Sequence, residues 1–335
     1  MSPIVKKIKK NKKNILKIVA VLLAVAALAF TITKLNSIGT ETEVEEEEYD
    51  GVATIEYNGK TYKQRDSITT IMVIGIDKYL KDTYLPEDAY LNTQQADFDV
   101  VLILDSEDES YTLLQINRDC MVQVKHLGVN GEVVKTEIEQ LALSHTYGNG
   151  GGDSCRNTVK SVKSLLFGTE IDQYIAFTMD AIPIVNDEAG GVTVYIEDDF
   201  SGVDASLVQG QEVTLMGDMS LSYIRARGGM KDSTNLTRMK RHRTYLKALL
   251  EAAREKMDES SSWAAKTVSK VQNYLTTDMT TKDLASLADL MVKYKQRDIQ
   301  TIQGETVTTD HVEFYPDEDA LKAQVIELFY EEVVE

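Results

Sequence analysis

Cysteine is scarce in this chain of 335 residues, which carries only Cys120 and Cys155. Two cysteines are too few for a disulfide-built scaffold, so the fold must rest on a hydrophobic core. One bridge in an oxidising compartment and two buried thiols both stay open, because sequence does not report the distance between the sulfurs. Positive charge is also short: 36 Lys and Arg face 54 Asp and Glu, a net charge of -18. That balance argues against general nucleic-acid binding, which needs an extended basic face. No G-x-S-x-G is present to seat a nucleophilic serine, and the glycine-rich loop at Tyr147 to Asp153 lacks the GK[ST] ending of a phosphate-binding P-loop. The four histidines, His126, His145, His242 and His311, show no zinc-ligand spacing, and no internal repeat is visible. With 43% hydrophobic and 27% charged residues the composition is that of a globular protein, long enough for one large or two modest domains.

The N-terminus is organised for a membrane. Six lysines between Lys6 and Lys13 precede an apolar run from Ile18 to Thr33, and acids from Glu41 to Glu48 follow it. We read residues 1–14 as a short basic cytoplasmic segment and 15–35 as a single transmembrane helix, with Lys17 snorkelling to the interface. Residues 36–66 read as an acidic extracellular stalk with a short strand pair at Val52 to Tyr62. Residues 67–335 read as an extracellular domain, since lysines stay inside. A cleaved signal peptide is the competing reading, because Ala27-Leu28-Ala29 has the form of a cleavage site.

What the chain does possess is a basic island. Between Leu221 and Arg243 stand Arg225, Arg227, Lys231, Arg238, Lys240, Arg241 and Arg243 with a single acid, Asp232. The arginine fork matches phosphate or carboxylate oxygens in pairs, so this concentration marks a site for an anionic group. The spacing Arg225-x-Arg227 reads as a strand presenting both on one face. Asp232 to Asn235 reads as the N-cap region of a helix to about Lys256. Its buried stripe is Leu236, Met239, Leu246, Leu249, Leu250 and Ala253, with Arg238 and His242 at the edge.

Three apolar runs earlier in the chain read as buried strands: Ile71 to Ile74, ending at Asp77; Val100 to Leu104, preceded by Asp97; and Tyr111 to Ile116, ending at Asn117-Arg118-Asp119. The last two read as a hairpin around Ser106 to Glu109, with Leu104 opposite Tyr111, Val100 opposite Gln115 and Asp97 near Arg118. A first strand parallel to the third brings Asp77 to the same end, making a polar rim of two carboxylates and an arginine. Glu137 to Thr146 reads as helical, leading into a glycine-rich loop, Tyr147 to Asp153, that is either a plain turn or an anion cradle. Then come a helix at Asn157 to Leu166, a strand at Ile171 to Phe177, a helix at Ala181 to Glu188 and a strand at Val192 to Ile196. Beyond the basic island, helices are expected at Trp263 to Leu275, Thr281 to Tyr294 and Asp319 to Glu332, with a strand at Ile299 to Val307. The alternation predicts an α/β layered domain.

Several of these motifs, in this order, resemble the LytR-CpsA-Psr family: Gly75-Ile76-Asp77, Gln95-Ala96-Asp97, Ile116-Asn117-Arg118-Asp119, His145-Thr146-Tyr147-Gly148, Ala189-Gly190-Gly191-Val192 and Tyr223-Ile224-Arg225-Ala226-Arg227 with Arg238 to Arg241. The resemblance covers roughly Ile68 to Arg254. It implies a mixed central sheet flanked by helices in α-β-α layers. The implied activity is a membrane-anchored transferase of the Gram-positive envelope, moving teichoic acid, capsule or a similar glycopolymer from a polyprenyl-pyrophosphate carrier to peptidoglycan through a phosphodiester. By position, Asp77 and Asp97 would hold Mg²⁺, and Arg118, Arg225 and Arg227 would grip the pyrophosphate. Arg238 and Arg241 would support them, Asp232 would orient an arginine, and Arg118, Asp97 and Asp232 would be catalytic. The chain departs from the family where Gln95-Ala96-Asp97 replaces Arg-Ser-Asp, at Cys120, and at His242. The alternatives are a polyprenyl-pyrophosphate hydrolase and a non-catalytic envelope glycan-binding or regulatory protein.

Overall fold

The computed structural model describes residues 54–77, 90–232, 234–260, 263–280 and 294–334 without 309, together with isolated positions from 283 to 290. The expected segments 1–14 and 15–35 lie outside the described residues, as do most of the stalk and most of the helix at Thr281 to Tyr294. Among the described residues no helix is long and apolar enough to cross a membrane.

In chain order the elements are β1 (Thr54–Tyr57), β2 (Lys60–Gln64), β3 (Ile68–Ile76), β4 (Ala96–Asp105), β5 (Ser110–Ile116), β6 (Met121–Leu127), β7 (Val133–Gln140), a 3-10 helix (Leu141–Thr146), α1 (Gly152–Leu165) and β8 (Gln173–Thr178). They continue with α2 (Ala181–Glu188), β9 (Val192–Tyr195), β10 (Glu212–Leu215), α3 (Asp218–Arg225), α4 (Asn235–Glu259) and α5 (Trp263–Val271). The chain finishes with β11 (Leu275–Thr277), β12 (Lys295–Thr301), β13 (Gly304–Thr308), β14 (Val312–Pro316), α6 (Glu318–Phe329) and β15 (Tyr330–Glu332).

The chain divides into two compact units. The first carries a six-stranded sheet in the order β11-β8-β3-β4-β5-β12. Its centre is apolar on both faces, as a sheet covered on both sides requires: every residue of β5 is buried. β3–β4 and β4–β5 pair antiparallel while β12 pairs parallel to β5, so the sheet is mixed. Met72, Ile74, Val101, Ile103, Leu114 and Ile116 pack in one core with Val162 of α1, with Leu166 just after it and with Leu321, Val325 and Phe329 of α6. A small sheet, β1-β2-β15, draws the two ends of the described chain together, and Arg65 locks it by donating to the Leu328 carbonyl at 2.5 Å and pairing with Asp105. The second unit, Phe177–Leu275 with part of the segment that follows, packs α3 and α4 onto the β9–β10 hairpin around Val192, Val194, Phe200, Tyr223, Ile224 and Tyr245.

The central hairpin has the expected register, with Leu104 opposite Tyr111 and Val100 opposite Gln115. β3 runs in the same sense as β5, with β4 between them. Four expectations are corrected. Glu137–Gln140 is not helical but ends a strand, β7, whose first six residues are all exposed; only Leu141–Thr146 turns, as a 3-10 helix. Arg225-x-Arg227 is not a strand: Arg225 is the last residue of α3 and Arg227 lies in the loop after it. Ile299 to Val307 holds two strands, β12 and β13, rather than one. The last helix stops at Phe329, and Tyr330–Glu332 turn into β15.

Candidate functional site

The first cluster of expected site residues sits at one end of the six-stranded sheet. Along the β3–β4 ladder Gly75 pairs with Phe98 and Ile76 with Ala96, so Asp97 is an extra residue in β4. This is a β-bulge, a device that re-aims a side chain at a sheet edge. The bulged Asp97 carboxylate meets the Arg118 guanidinium in a direct ion pair. Both side chains are only 10% exposed, which keeps the attraction from being screened away as it is at a surface. Arg118 also donates through Nη2 to Gln95 Oε1 at 2.7 Å, and its Nε lies 3.5 Å from Asp119 Oδ1. Gln95 therefore positions Arg118. Asp77 closes the rim: its N–H donates to the Gln95 carbonyl at 3.0 Å. The turn carrying Arg118 is fixed by Asn117 Oδ1, which accepts from the Asp119 N–H at 2.9 Å. Asp99 and Asp119 are buried beside it. The donor set here is all oxygen, which suits a hard divalent ion such as Mg²⁺.

The second cluster belongs to the helical unit. The last carbonyls of a helix have no partner within it, and α4 supplies donors for Tyr223 and Ile224 of α3 and for Ala226 just after it. Arg241 donates through Nε to the Tyr223 carbonyl at 3.1 Å and through Nη2 to the Ala226 carbonyl, while His242 Nε2 donates to the Ile224 carbonyl at 3.0 Å. Arg241 Nη1 also reaches Asp198 Oδ2 at 3.0 Å, and its guanidinium lies 5.6 Å from the centre of the Phe200 ring. Burial, then the neighbouring Arg238 charge, pushes the His242 pKa down to about 3, so the ring is a neutral donor. Arg238 donates to Asn235 Oδ1 through Nε at 3.0 Å and Nη2 at 2.6 Å. The result is a braced segment that leaves Arg225 exposed and Arg227 half-buried. Thr234 caps α4, its Oγ1 accepting from the Thr237 N–H, and the exposed Asp232 supports that cap: its carboxylate accepts from Thr237 Oγ1 at 2.6 Å and the Thr234 N–H at 2.9 Å, contacts that lower its pKa.

The glycine-rich loop does not hold its amides open for an anion. Gly148 N–H donates to the Tyr90 carbonyl at 2.8 Å, Gly150 N–H to Ser154 Oγ at 3.0 Å and Gly151 N–H to Asn149 Oδ1 at 2.8 Å. Asn92 Nδ2 pins the same loop, 2.9 Å from the His145 carbonyl and 3.1 Å from Ser154 Oγ. His145 is structural: Nδ1 donates to the Gln94 carbonyl at 2.9 Å, and burial takes its pKa down to about 4. Cys120 and Cys155 are free and buried, with burial pushing both thiols up to about 12, so neither is poised as a nucleophile.

The family model of the LytR_cpsA_psr family matches residues 29–328. The chain belongs to this family. Curated relatives in it include the "polyisoprenyl-teichoic acid--peptidoglycan teichoic acid transferase TagU" of Oceanobacillus iheyensis, 27% identical over 259 residues, covering 73% of this chain and 70% of that protein. TagV of Bacillus subtilis, which bears the same transferase description, is 29% identical over 158 residues, covering 45% of this chain but only 37% of TagV. Among solved structures, TagT bound to LIIa-WTA superposes with a TM-score of 0.59 at 21% identity, covering 78% of this chain and 90% of that one. At that identity the likeness carries the family's mixed α/β fold and no more.

Of the residues picked out by sequence, the structure therefore joins Asp77, Asp97 and Arg118 at one sheet end, and Arg225, Arg227, Arg238 and Arg241 on one braced helix pair. Sequence reasoning missed the Asp97 bulge and the supporting roles of Gln95 and His242. The signal for the bulge was present in β4, where Asp97 and Asp99 both stand before the apolar run and regular alternation would put them on one face.

Proposed function

We propose that this protein is a membrane-anchored, Mg²⁺-dependent phosphotransferase. It moves an anionic glycopolymer, a teichoic acid or capsule-type chain, from a polyprenyl-pyrophosphate carrier to peptidoglycan. Residues 15–35 form its single transmembrane helix, with the N-terminus cytoplasmic and the catalytic region extracellular. The observation that carries the reading is the bulged Asp97 ion-paired to Arg118, with Asp77 at the same sheet end. Membership of a family whose curated relatives are described as teichoic acid transferases supports it. A protein that only binds anionic glycan needs the arginines but has no use for paired carboxylates.

The reaction makes a bond between an acceptor sugar hydroxyl and the glycan-side phosphorus, and breaks that phosphorus from the bridging oxygen. Lipid phosphate leaves. Such a transfer asks for alignment and charge neutralisation more than covalent chemistry. Arg118, held by Asp97 and Gln95, is pre-oriented toward phosphate oxygens, so little reorganisation is left for the reaction itself. Arg225 and Arg227 bind anionic oxygens of the carrier-linked substrate, on a segment braced by Arg241 and His242. Asp77 and Asp97 would hold Mg²⁺, which when bound neutralises the pyrophosphate charge. We assign acceptance of the hydroxyl proton to the Asp97 or Asp77 carboxylate.

The test uses the full-length chain in detergent with a polyprenyl-pyrophosphate oligosaccharide, peptidoglycan fragments and Mg²⁺. Released lipid phosphate and acceptor-linked glycan are followed by mass spectrometry. Arg118→Ala and Asp97→Asn should each lose on the order of a hundredfold to a thousandfold in turnover. Lipid phosphate release with unmodified acceptor indicates hydrolysis, and tight lipid binding without turnover indicates a binding protein; either outcome replaces the transferase reading.

A further inference from the structure

The β6–β7 hairpin carries a second group of ligating side chains. Its register sets Lys135 opposite His126, Glu137 opposite Val124 and Glu139 opposite Val122. Side chains two apart share a face, so His126, Glu137 and Glu139 converge on one side of the hairpin. Their ligand atoms all lie within 4.8 Å of one another, with His126 Nε2 3.2 Å from Glu139 Oε1 and 3.6 Å from Glu137 Oε2. Nε2 is buried and meets hydrogen-bond geometry with neither carboxylate. A charge-assisted hydrogen bond would close to about 2.7–2.9 Å. The observed spacing is instead that of neighbouring ligands on a tetrahedral ion: bonds of roughly 2.0–2.2 Å set them roughly 3.3–3.6 Å apart.

The surroundings hold two of the ligands in place. Tyr147 donates its hydroxyl to Glu139, 3.1 Å from Oε2 and 3.3 Å from Oε1, and its ring stacks on the His126 imidazole at 4.0 Å. This is the outer-shell support that ligating groups carry in metal sites. The His126 and Glu139 side chains are 14% and 21% exposed, and Glu137 is 48% exposed, leaving one open side. Lys135 Nζ lies 2.9 Å from Glu137 Oε1, so Oε2 is the oxygen Glu137 turns to the cluster.

We propose that His126, Glu137 and Glu139 bind a divalent transition-metal ion of the Zn²⁺ class, tying the β6–β7 hairpin to the Tyr147 loop. An imidazole nitrogen with two carboxylates selects such an ion over Mg²⁺, which prefers an all-oxygen shell. Three protein ligands leave a fourth position for water.

The full-length chain in detergent, stripped of metal with a chelator, is titrated with Zn²⁺ by calorimetry and with Co²⁺ by visible absorption. The wild type should take up Zn²⁺ and show the intense bands of tetrahedral Co²⁺, undisturbed by excess Mg²⁺. Tyr147→Phe should weaken Zn²⁺ binding roughly tenfold to hundredfold, and His126→Gln and Glu139→Gln by more. Circular dichroism and the thermal midpoint of each variant without metal show that it is folded. Absence of Zn²⁺ uptake by the wild type overturns the proposal. So do equal affinity and stoichiometry in folded His126→Gln and Glu139→Gln, or displacement of Co²⁺ by Mg²⁺.

Discussion

Replacing Arg241 with methionine should unfold the helical unit well before it affects the sheet unit. The side chain is 5% exposed and serves the Tyr223 and Ala226 carbonyls, Asp198 and the Phe200 ring. Methionine keeps the volume but donates nothing. Each buried carbonyl left without its donor costs about 1–3 kcal/mol, so the two together cost about 2–6 kcal/mol. Asp198 is 29% exposed and can be resolvated by water, so the lost ion pair adds little. A net loss of about 3–4 kcal/mol, at roughly 4 °C per kcal/mol, lowers the melting point by about 12–16 °C. The assay is intrinsic to the molecule. Trp263 is the single tryptophan, and it packs against Ala253 and Met257 of α4, so its fluorescence follows this unit. Arg225→Met, at an exposed position a few residues away, is the control and should stay within about 0.5 kcal/mol. Arg241→Lys should fall between, since a single ammonium cannot reach all three acceptors. Melting of Arg241→Met within about 2 °C of the Arg225→Met control would refute the bracing argument.

His242→Leu should cost about 1–3 kcal/mol by orphaning the Ile224 carbonyl, while His242→Gln, which can donate from its amide, should recover most of it in the same melt. His145 and His242 have folded pKa values of about 4 and about 3, below their ordinary 6.5, so the unfolded chain binds protons first as pH falls. Stability should therefore hold above about pH 6.5 and decline below it through the folded values, with a slope of up to about 1.4 kcal/mol per pH unit for each histidine. Urea titrations at several pH values on wild type and the two histidine-to-glutamine variants check the sign, and an unchanged slope in the variants contradicts it. Gly229 sits at φ +82° and a Cβ there would come within 2.6 Å of the Gly202 carbonyl oxygen, so Gly229→Ala should lose about 1–3 kcal/mol. Gly228→Ala, with nothing nearby, should be close to neutral, and equal melting of the two would contradict the contact.

The sheet was legible in the sequence because its strands are continuous apolar runs with a short polar turn between β4 and β5. That turn alone fixed which residues face each other and brought Asp97 to Arg118. The β6–β7 hairpin was not legible, because β7 is exposed at six successive positions and offers no periodicity. For the same reason the His126 cluster is invisible along the chain: its ligands meet only once the hairpin has formed. The helix α4 shows a third kind of limit. Its stripe was read by hydrophobicity, yet Leu236 is 49% exposed while Arg238, Arg241 and His242 are buried. What buries them is the demand of neighbouring carbonyls for donors, which no hydrophobicity scale records.

The extra residue at Asp97 also works as a phase slip. Along a strand, inside and outside alternate, and one inserted position inverts the order for everything on its far side. Phe98 onward keeps step with β3 in one phase, and Ala96 and Gln95 keep it in the other. In the ladder itself, deleting Asp97 would leave the pairs on both sides as they are, Phe98 with Gly75 and Ala96 with Ile76. The ladder would close to regular counting with Gln95 still beside Asp77, and the rim would lose the carboxylate that meets Arg118. The extra position is thus a slot that sets one carboxylate into the rim while the strand on either side keeps its partners.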